Sequence, residues 1–181
     1  VDDGSNDGTY EYLLKIKQEA TFDMTVIKQK NAGKHVAINK GVSVAKGKLF
    51  FIVDSDDYLC ENAIESILNI EAKLPDKNKF AGISGIRITP EGKMVGTSFE
   101  QEFIDCTAFE RDKYNITGDK AEAYFTDILK RYPFPVFEGE NFLTESVVWY
   151  RIANDGYKIR WTNAAFYICD YQKGGLSDTT G

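Results

Sequence analysis

The sequence is poor in residues that would staple or anchor it. Three cysteines, Cys60, Cys106 and Cys169, are spread through 181 residues. They are odd in number and form no CxxC pair, which argues against a disulfide framework or a zinc site and favours a reducing compartment. No apolar run approaches the ~18 residues of a spanning helix, and there is no signal peptide. A basic excess is also missing. The formal net charge of −6 argues against a general nucleic-acid binder, which would carry a basic face. It leaves room for an anionic small ligand held through a metal. Internal repeats, low-complexity tracts and clear linkers are absent too. So is an initiating Met: the chain opens inside what reads as a strand end and stops on Thr179-Thr180-Gly181. That reads as a fragment, in which missing targeting segments say little.

What is present suits one globular domain. Hydrophobic residues make up 43% and charged residues 28%, enough for a sizeable core. Val1 to Ser5 reads as a strand end entering a loop. A helix is predicted over 9–19, with Tyr10, Leu13 and Leu14 on one face. Residues 24–29 read as a strand, Asn31-Ala32-Gly33 as a turn and 36–45 as a short helix. The apolar run 49–53 predicts a strand buried on both faces of a parallel sheet. Ala63, Ile64, Ile67, Leu68 and Glu71 mark an amphipathic helix, and 81–89 the next strand. This alternation predicts an α/β sheet with right-handed crossovers. Beyond it, Pro90-Glu91-Gly92-Lys93 reads as a turn and 119–131 as a helix broken by Pro133-Phe134-Pro135. A helix over 145–153 and strands over 157–162 and 165–170 complete the pattern.

The strongest local signal is Phe50-Phe51-Ile52-Val53-Asp54-Ser55-Asp56-Asp57. A dry strand ends in three carboxylates, which repel and resist ionising together. A divalent cation is the simplest compensation. In α/β sheets ligands bind beyond the carboxyl ends of the strands, so Asp2-Asp3 and the 54–57 cluster should share one rim. Local alternatives exist for each feature. Residues 2–9 resemble a calcium loop, but the twelfth position counted from Asp3 is Leu14, not Glu; helix-capping acids are the plainer reading. A strand followed by Asp54-x-Asp56 is also the nucleophile pattern of haloacid-dehalogenase-type phosphatases, although Asp57 and Tyr58 follow where a Thr or Val is usual. A solvated loop of acids is the plain alternative. His35 reads as positional, Trp149 and Trp161 as core, and Lys34 as either exposed or a phosphate contact at a helix start.

In order, the chain carries VDDGSNDGT, NAGKHVAINKGVSVAKG, FFIVDSDDYL and FLTESVVWYRIA. Together these resemble the family 2 glycosyltransferases, which have the GT-A fold. The resemblance implies an α/β, Rossmann-like, mostly parallel sheet flanked by helices, with a more irregular acceptor side. It implies a single catalytic domain over 1–181, with a nucleotide-sugar-binding half at 1–89 and an acceptor-side half at 90–181. Asp2 and Asp3 match the acids that recognise the nucleoside, usually uridine. Lys34 stands where a basic residue lies near the diphosphate. Asp54 and Asp56 match the DxD, with Asp56 as the metal ligand for Mg²⁺ or Mn²⁺. The implied activity is inverting sugar transfer from a nucleotide sugar, most often UDP-linked, to a hydroxyl of a glycan, lipid-linked or protein acceptor in glycan or cell-envelope polysaccharide synthesis. A cytoplasmic location is implied, with peripheral membrane association as an option.

Two departures stand out. Where the family has adjacent Glu and Asp, this chain has Glu145 followed by Ser146, so Glu145 is the expected base, with Glu140 the runner-up. A helix N-terminal acid favoured by the dipole is the plain alternative for Glu145. The QxxRW motif of synthases is missing around Gly174-Gly175-Leu176-Ser177, which favours single transfers over processive synthesis. The family's opening strand, loop and helix are not in the sequence, so the isolated fragment is expected to be poorly active. A non-catalytic nucleotide-sugar-binding domain is the remaining rival.

Overall fold

The computed structural model describes residues 1–170. The segment around Gly174 lies outside them. Helix α1 (Thr9–Glu19) forms where its apolar spacing places it. The N-cap of α1 is Gly8, with no side-chain capping bond; of the loop acids, Asp7 bonds next to the helix start, its Oδ1 accepting from the Thr9 N–H (3.1 Å) and hydroxyl (2.6 Å). The strand expected over 24–29 is reduced to one parallel bridge, Asp2 to Lys28. It is held by Asp2 N–H to Ile27 O (2.8 Å) and Gln29 N–H to Asp2 O (2.9 Å). Helix α2 (Lys34–Val44) starts two residues earlier than expected and buries His35, Ile38 and Val42.

The remaining elements are β1 (Leu49–Phe51), β2 (Tyr58–Leu59), α3 (Ala63–Ala72), β3 (Phe80–Ile88), β4 (Phe103–Cys106), β5 (Lys120–Phe125), α4 (Thr126–Arg131), α5 (Ser146–Asn154) and β6 (Lys158–Ile168). The strands form one sheet in the order β1-β5-β3-β6-β2, with β4 also on β6. Helices α2, α4 and α5 pack on one face with Tyr124 and Trp161; α3 packs on the other with Phe80, Ile83 and Phe166. The expected α/β layering is therefore present.

The sheet is less parallel than expected. Among the described strands of the sheet, β3–β6 alone pairs in parallel; β1–β5, β3–β5, β2–β6 and β4–β6 are antiparallel. The cause is the segment between β3 and β5, which has no α-helix to return the chain to its starting end, as a parallel pair requires. Strand direction nevertheless follows the expected logic. Because β5 runs opposite to both β1 and β3, strands β1, β3 and β6 all point the same way. Their carboxyl ends share a rim.

Four local expectations are corrected. Residues 119–131 are not one helix but β5 followed by α4. Ala and Glu favour helix, yet Ala121 and Ala123 alternate with Tyr124 across a strand held between β1 and β3, and packing overrides propensity. Strand β1 is shorter than 49–53 and only half-buried, because among the described residues it has a partner on one edge alone. In α3 the inward face carries Ala63, Ile67 and Glu71, while Ile64 and Leu68 are more than half exposed. The buried Glu71 carboxylate is neutralised by Lys48 (2.6 Å) and by Lys77. The two strands expected over 157–170 are one continuous β6, with register shifts against β3. The 90–93 turn and both core tryptophans are as expected: Trp161 is buried, and Trp149 stacks on Tyr124 at 4.1 Å.

Candidate active site at the start of α2

Asp3 is the first organiser. Its Oδ1 accepts from Gln29 Nε2 (2.7 Å) and Ala32 N–H (3.0 Å), and its Oδ2 from Gly33 N–H (2.8 Å). Both oxygens are thus spent on fixing the 31–33 turn. Asp2, beside it, is buried. Its Oδ1 accepts from Ser5 N–H (2.9 Å), and hydrogen bonds from Ser5 hold the carboxyl below its ordinary pKa. Asp2 Oδ2 is buried without a hydrogen-bond partner among the described residues. An orphan acceptor of this kind costs free energy unless a ligand or water donates to it.

The turn delivers Gly33 into α2 with φ of 94°, a conformation that suits glycine. A Cβ at this position would also collide with the Asn141 carbonyl. The backbone of the loop leading to α5 is therefore seated directly on the start of α2. Asn39, one turn along, clasps the same loop further back: its Nδ2 donates to Phe134 O and its Oδ1 accepts from Phe134 N–H, each at 2.9 Å. His35 lies buried beneath, packing as expected, with neither ring nitrogen hydrogen-bonded among the described residues.

Lys34 then joins three remote segments. Its Nζ lies 2.7 Å from Asp54 Oδ1 and 2.8 Å from Glu145 Oε1. Burial opposes the ammonium charge, but the two carboxylates outweigh it and raise the pKa above its ordinary value. Glu145 occupies the position just before α5, yet its side chain makes no capping bond. It reaches Lys34, while its place at the N-terminus of α5 is also one that the helix dipole favours for an acid. Glu140, the runner-up, is exposed and bonds locally to Phe142 N–H (2.8 Å).

The acidic loop after β1 is differentiated by its contacts. Asp54 N–H donates to the Tyr167 hydroxyl (2.9 Å), and Asp57 Oδ1 accepts from Asp170 N–H (2.9 Å). Asp57 therefore ties the loop to the end of β6. Asp56 is exposed and makes no hydrogen bond or ion pair among the described residues. No group of three or more His, Cys, Asp or Glu among the described residues could hold a metal. One free carboxylate still fits Mg²⁺ or Mn²⁺, since Mg²⁺ commonly binds one or two carboxylates and completes its shell with water and substrate phosphates.

Three residues of this rim escaped the sequence reading. Tyr167 supports the Asp54 backbone, and burial raises its hydroxyl pKa. The Arg87 guanidinium lies 4.6 Å from the Tyr167 ring centre. Glu122 stands opposite Ser84 on β5. Burial pushes its carboxyl up to about 7; Arg87 and Arg111 pull it down, while Asp119 and Glu145 add to the rise. A charged Arg87 inside the apolar run 80–88 was the available signal. Glu122 was hidden by the helical reading of its segment.

Comparison with known proteins follows the same lines. Residues 1–77 match the family model described as Glycosyl transferase family 2. Glycosyltransferase GlyG of Streptococcus pneumoniae serotype 4 (strain ATCC BAA-334 / TIGR4) is 39% identical over 67 residues, covering 37% of this chain and 22% of its own length. Glycosyltransferase GlyA of the same organism is 25% identical over 195 residues, covering 98% of this chain and 26% of its own. The chain thus spans about a quarter of the length of these curated relatives. The solved structure of S. aureus TarS 1-349 in complex with UDP-GlcNAc matches with a TM-score of 0.68 at 18% identity, over 99% of this chain and 51% of that one. At that identity the likeness is one of fold, and the expected GT-A-like α/β class holds. No helix among the described residues is long and apolar enough to cross a membrane.

Proposed function

We propose, from the premise that residues 1–77 are a family 2 glycosyltransferase segment, that the chain is the catalytic part of an inverting transferase. It moves a sugar from a UDP-linked donor to a hydroxyl of a glycan, lipid-linked or protein acceptor in cell-envelope or related glycan synthesis. The observation that carries this reading is the convergence on Lys34. One ammonium at the head of α2 meets the first acid of the DxD and the expected base, from segments 20 and 111 residues away.

Each residue has work suited to its surroundings. Asp2 Oδ2, the buried orphan acceptor, takes the N–H of the base or a ribose hydroxyl. Asp3 acts indirectly, by holding the turn that aims Lys34. Lys34 and the first N–H groups of α2 attract the diphosphate. Asp56 would hold the Mg²⁺ or Mn²⁺, which when bound would screen the charge gathering on the leaving diphosphate. The acceptor oxygen attacks the anomeric carbon on the face opposite the diphosphate. A new C–O bond forms as the sugar–phosphate C–O bond breaks, and the electron pair leaves with the nucleoside diphosphate. Glu145 takes the proton of the acceptor hydroxyl.

The test uses full-length protein. Calorimetry with a panel of nucleotide sugars, with and without Mn²⁺, is expected to find a UDP-sugar that binds. Glu145→Gln should keep that binding and lose about 10²-fold or more in turnover. Unchanged turnover removes Glu145 as base. A phosphoaspartate at Asp54 in place of sugar transfer would establish the phosphatase alternative.

A further inference from the structure

We propose that Lys34 is also the positioning residue for Glu145, holding the base in the donor-free protein and releasing it only when a diphosphate takes the ammonium. The inference rests on the transferase reading above. It deepens that reading by naming what holds the base before a donor arrives.

The geometry behind it is specific. An ammonium is a compact charge with three donor directions. Two are spent, on Asp54 Oδ1 and Glu145 Oε1. The Lys34 side chain is 46% exposed, so an incoming ligand can reach it. A diphosphate offers several charged oxygens to this one group, against a single oxygen from Glu145. While Lys34 occupies Glu145 Oε1, that oxygen is not available to an acceptor hydroxyl.

Release would also act on the backbone. The loop before α5 meets the start of α2 at two points: the Asn141 carbonyl lies close against Gly33, and Glu145 pairs with Lys34. The Asn39 clasp on Phe134 sets a fixed hinge behind them. Freeing Glu145 removes the only charged fastening of the three.

The test uses full-length protein and UDP as the probe. Glu145 is labelled with a carbodiimide and an amine, and the product is read by peptide mass mapping. Without UDP, wild-type labelling is expected to be slow; with UDP it should rise about fivefold, the factor a part-exposed ion pair is worth. Lys34→Met should label at the fast rate without UDP. Lys34→Arg, which keeps the charge, should remain slow. If UDP binds and wild-type labelling does not rise, the proposal falls and the transferase reading stands. If UDP does not bind, the transferase reading falls and takes the proposal with it. A folded Lys34→Met that labels as slowly as wild type also overturns the proposal. Should that variant not fold, the wild-type comparison decides alone.

Discussion

Replacing Glu122 with Gln should flatten the dependence of stability on pH between about 4.5 and 7. An ordinary glutamate releases its proton near 4.5, whereas burial on β5 delays this in the folded protein to about 7. Within that window the unfolded chain has lost the proton and the native one still holds it. Rising pH therefore favours unfolding. Below the window both states are protonated and the full stability is present; above it the loss is complete. At about 1.4 kcal/mol per pH unit, the loss is of order 3 kcal/mol. Gln keeps the size and polarity of the protonated acid but cannot ionise. Urea unfolding of wild type and Glu122→Gln from pH 4 to 8 measures the effect, and the difference between the curves isolates this one group. The two should converge at low pH, with the variant more stable by the stated amount above neutrality. Parallel curves would refute the burial argument for Glu122.

Two further substitutions probe the scaffold of the site. Gly33→Ala places a Cβ against the Asn141 carbonyl at φ of 94°; it should cost about 1–3 kcal/mol in a denaturant melt and weaken UDP binding, and a neutral result would disprove the close seating of the loop. Asp3→Ala strips three donors of their acceptor. It should cost about 2 kcal/mol or more and speed amide exchange at Ala32 and Gly33, whereas unchanged exchange would show that the turn holds without it.

What was legible in the sequence was whatever depends on short-range pattern. Helix α1 follows from Tyr10, Leu13 and Leu14, and the 90–93 turn from Pro90 and Gly92. The common direction of β1 and β3, which puts their carboxyl ends on one side, followed from strand alternation. Failures came where long-range packing decided. Ala121, Glu122 and Ala123 have strong helical propensity but lie between β1 and β3, and nothing in the local pattern shows that this segment enters the sheet between those two expected strands. Glu71 sits on the inward face of α3 because Lys48 and Lys77 come to it from other segments. In the site, the residue types were legible, but their contacts were not. Nothing in the spacing shows that Asp3 bonds Gln29 and the 31–33 turn, or that Lys34 touches both Asp54 and Glu145.

The strand order has a consequence for how such a protein can diversify. Strand β5, from the second half of the chain, lies between β1 and β3, from the first. A cut or splice at residue 89 would therefore open the middle of the sheet instead of separating two modules. Chimaeras that join the first half of one such chain to the second half of another must bring a matching β5, or the recipient β1 and β3 lose their shared neighbour. New specificities are more readily reached by changing the loops on the rim than by exchanging halves. The same interleaving makes the decisive pairings distant in sequence, so the sheet closes only after the second half has been synthesised, and folding should be slow for a chain of this size.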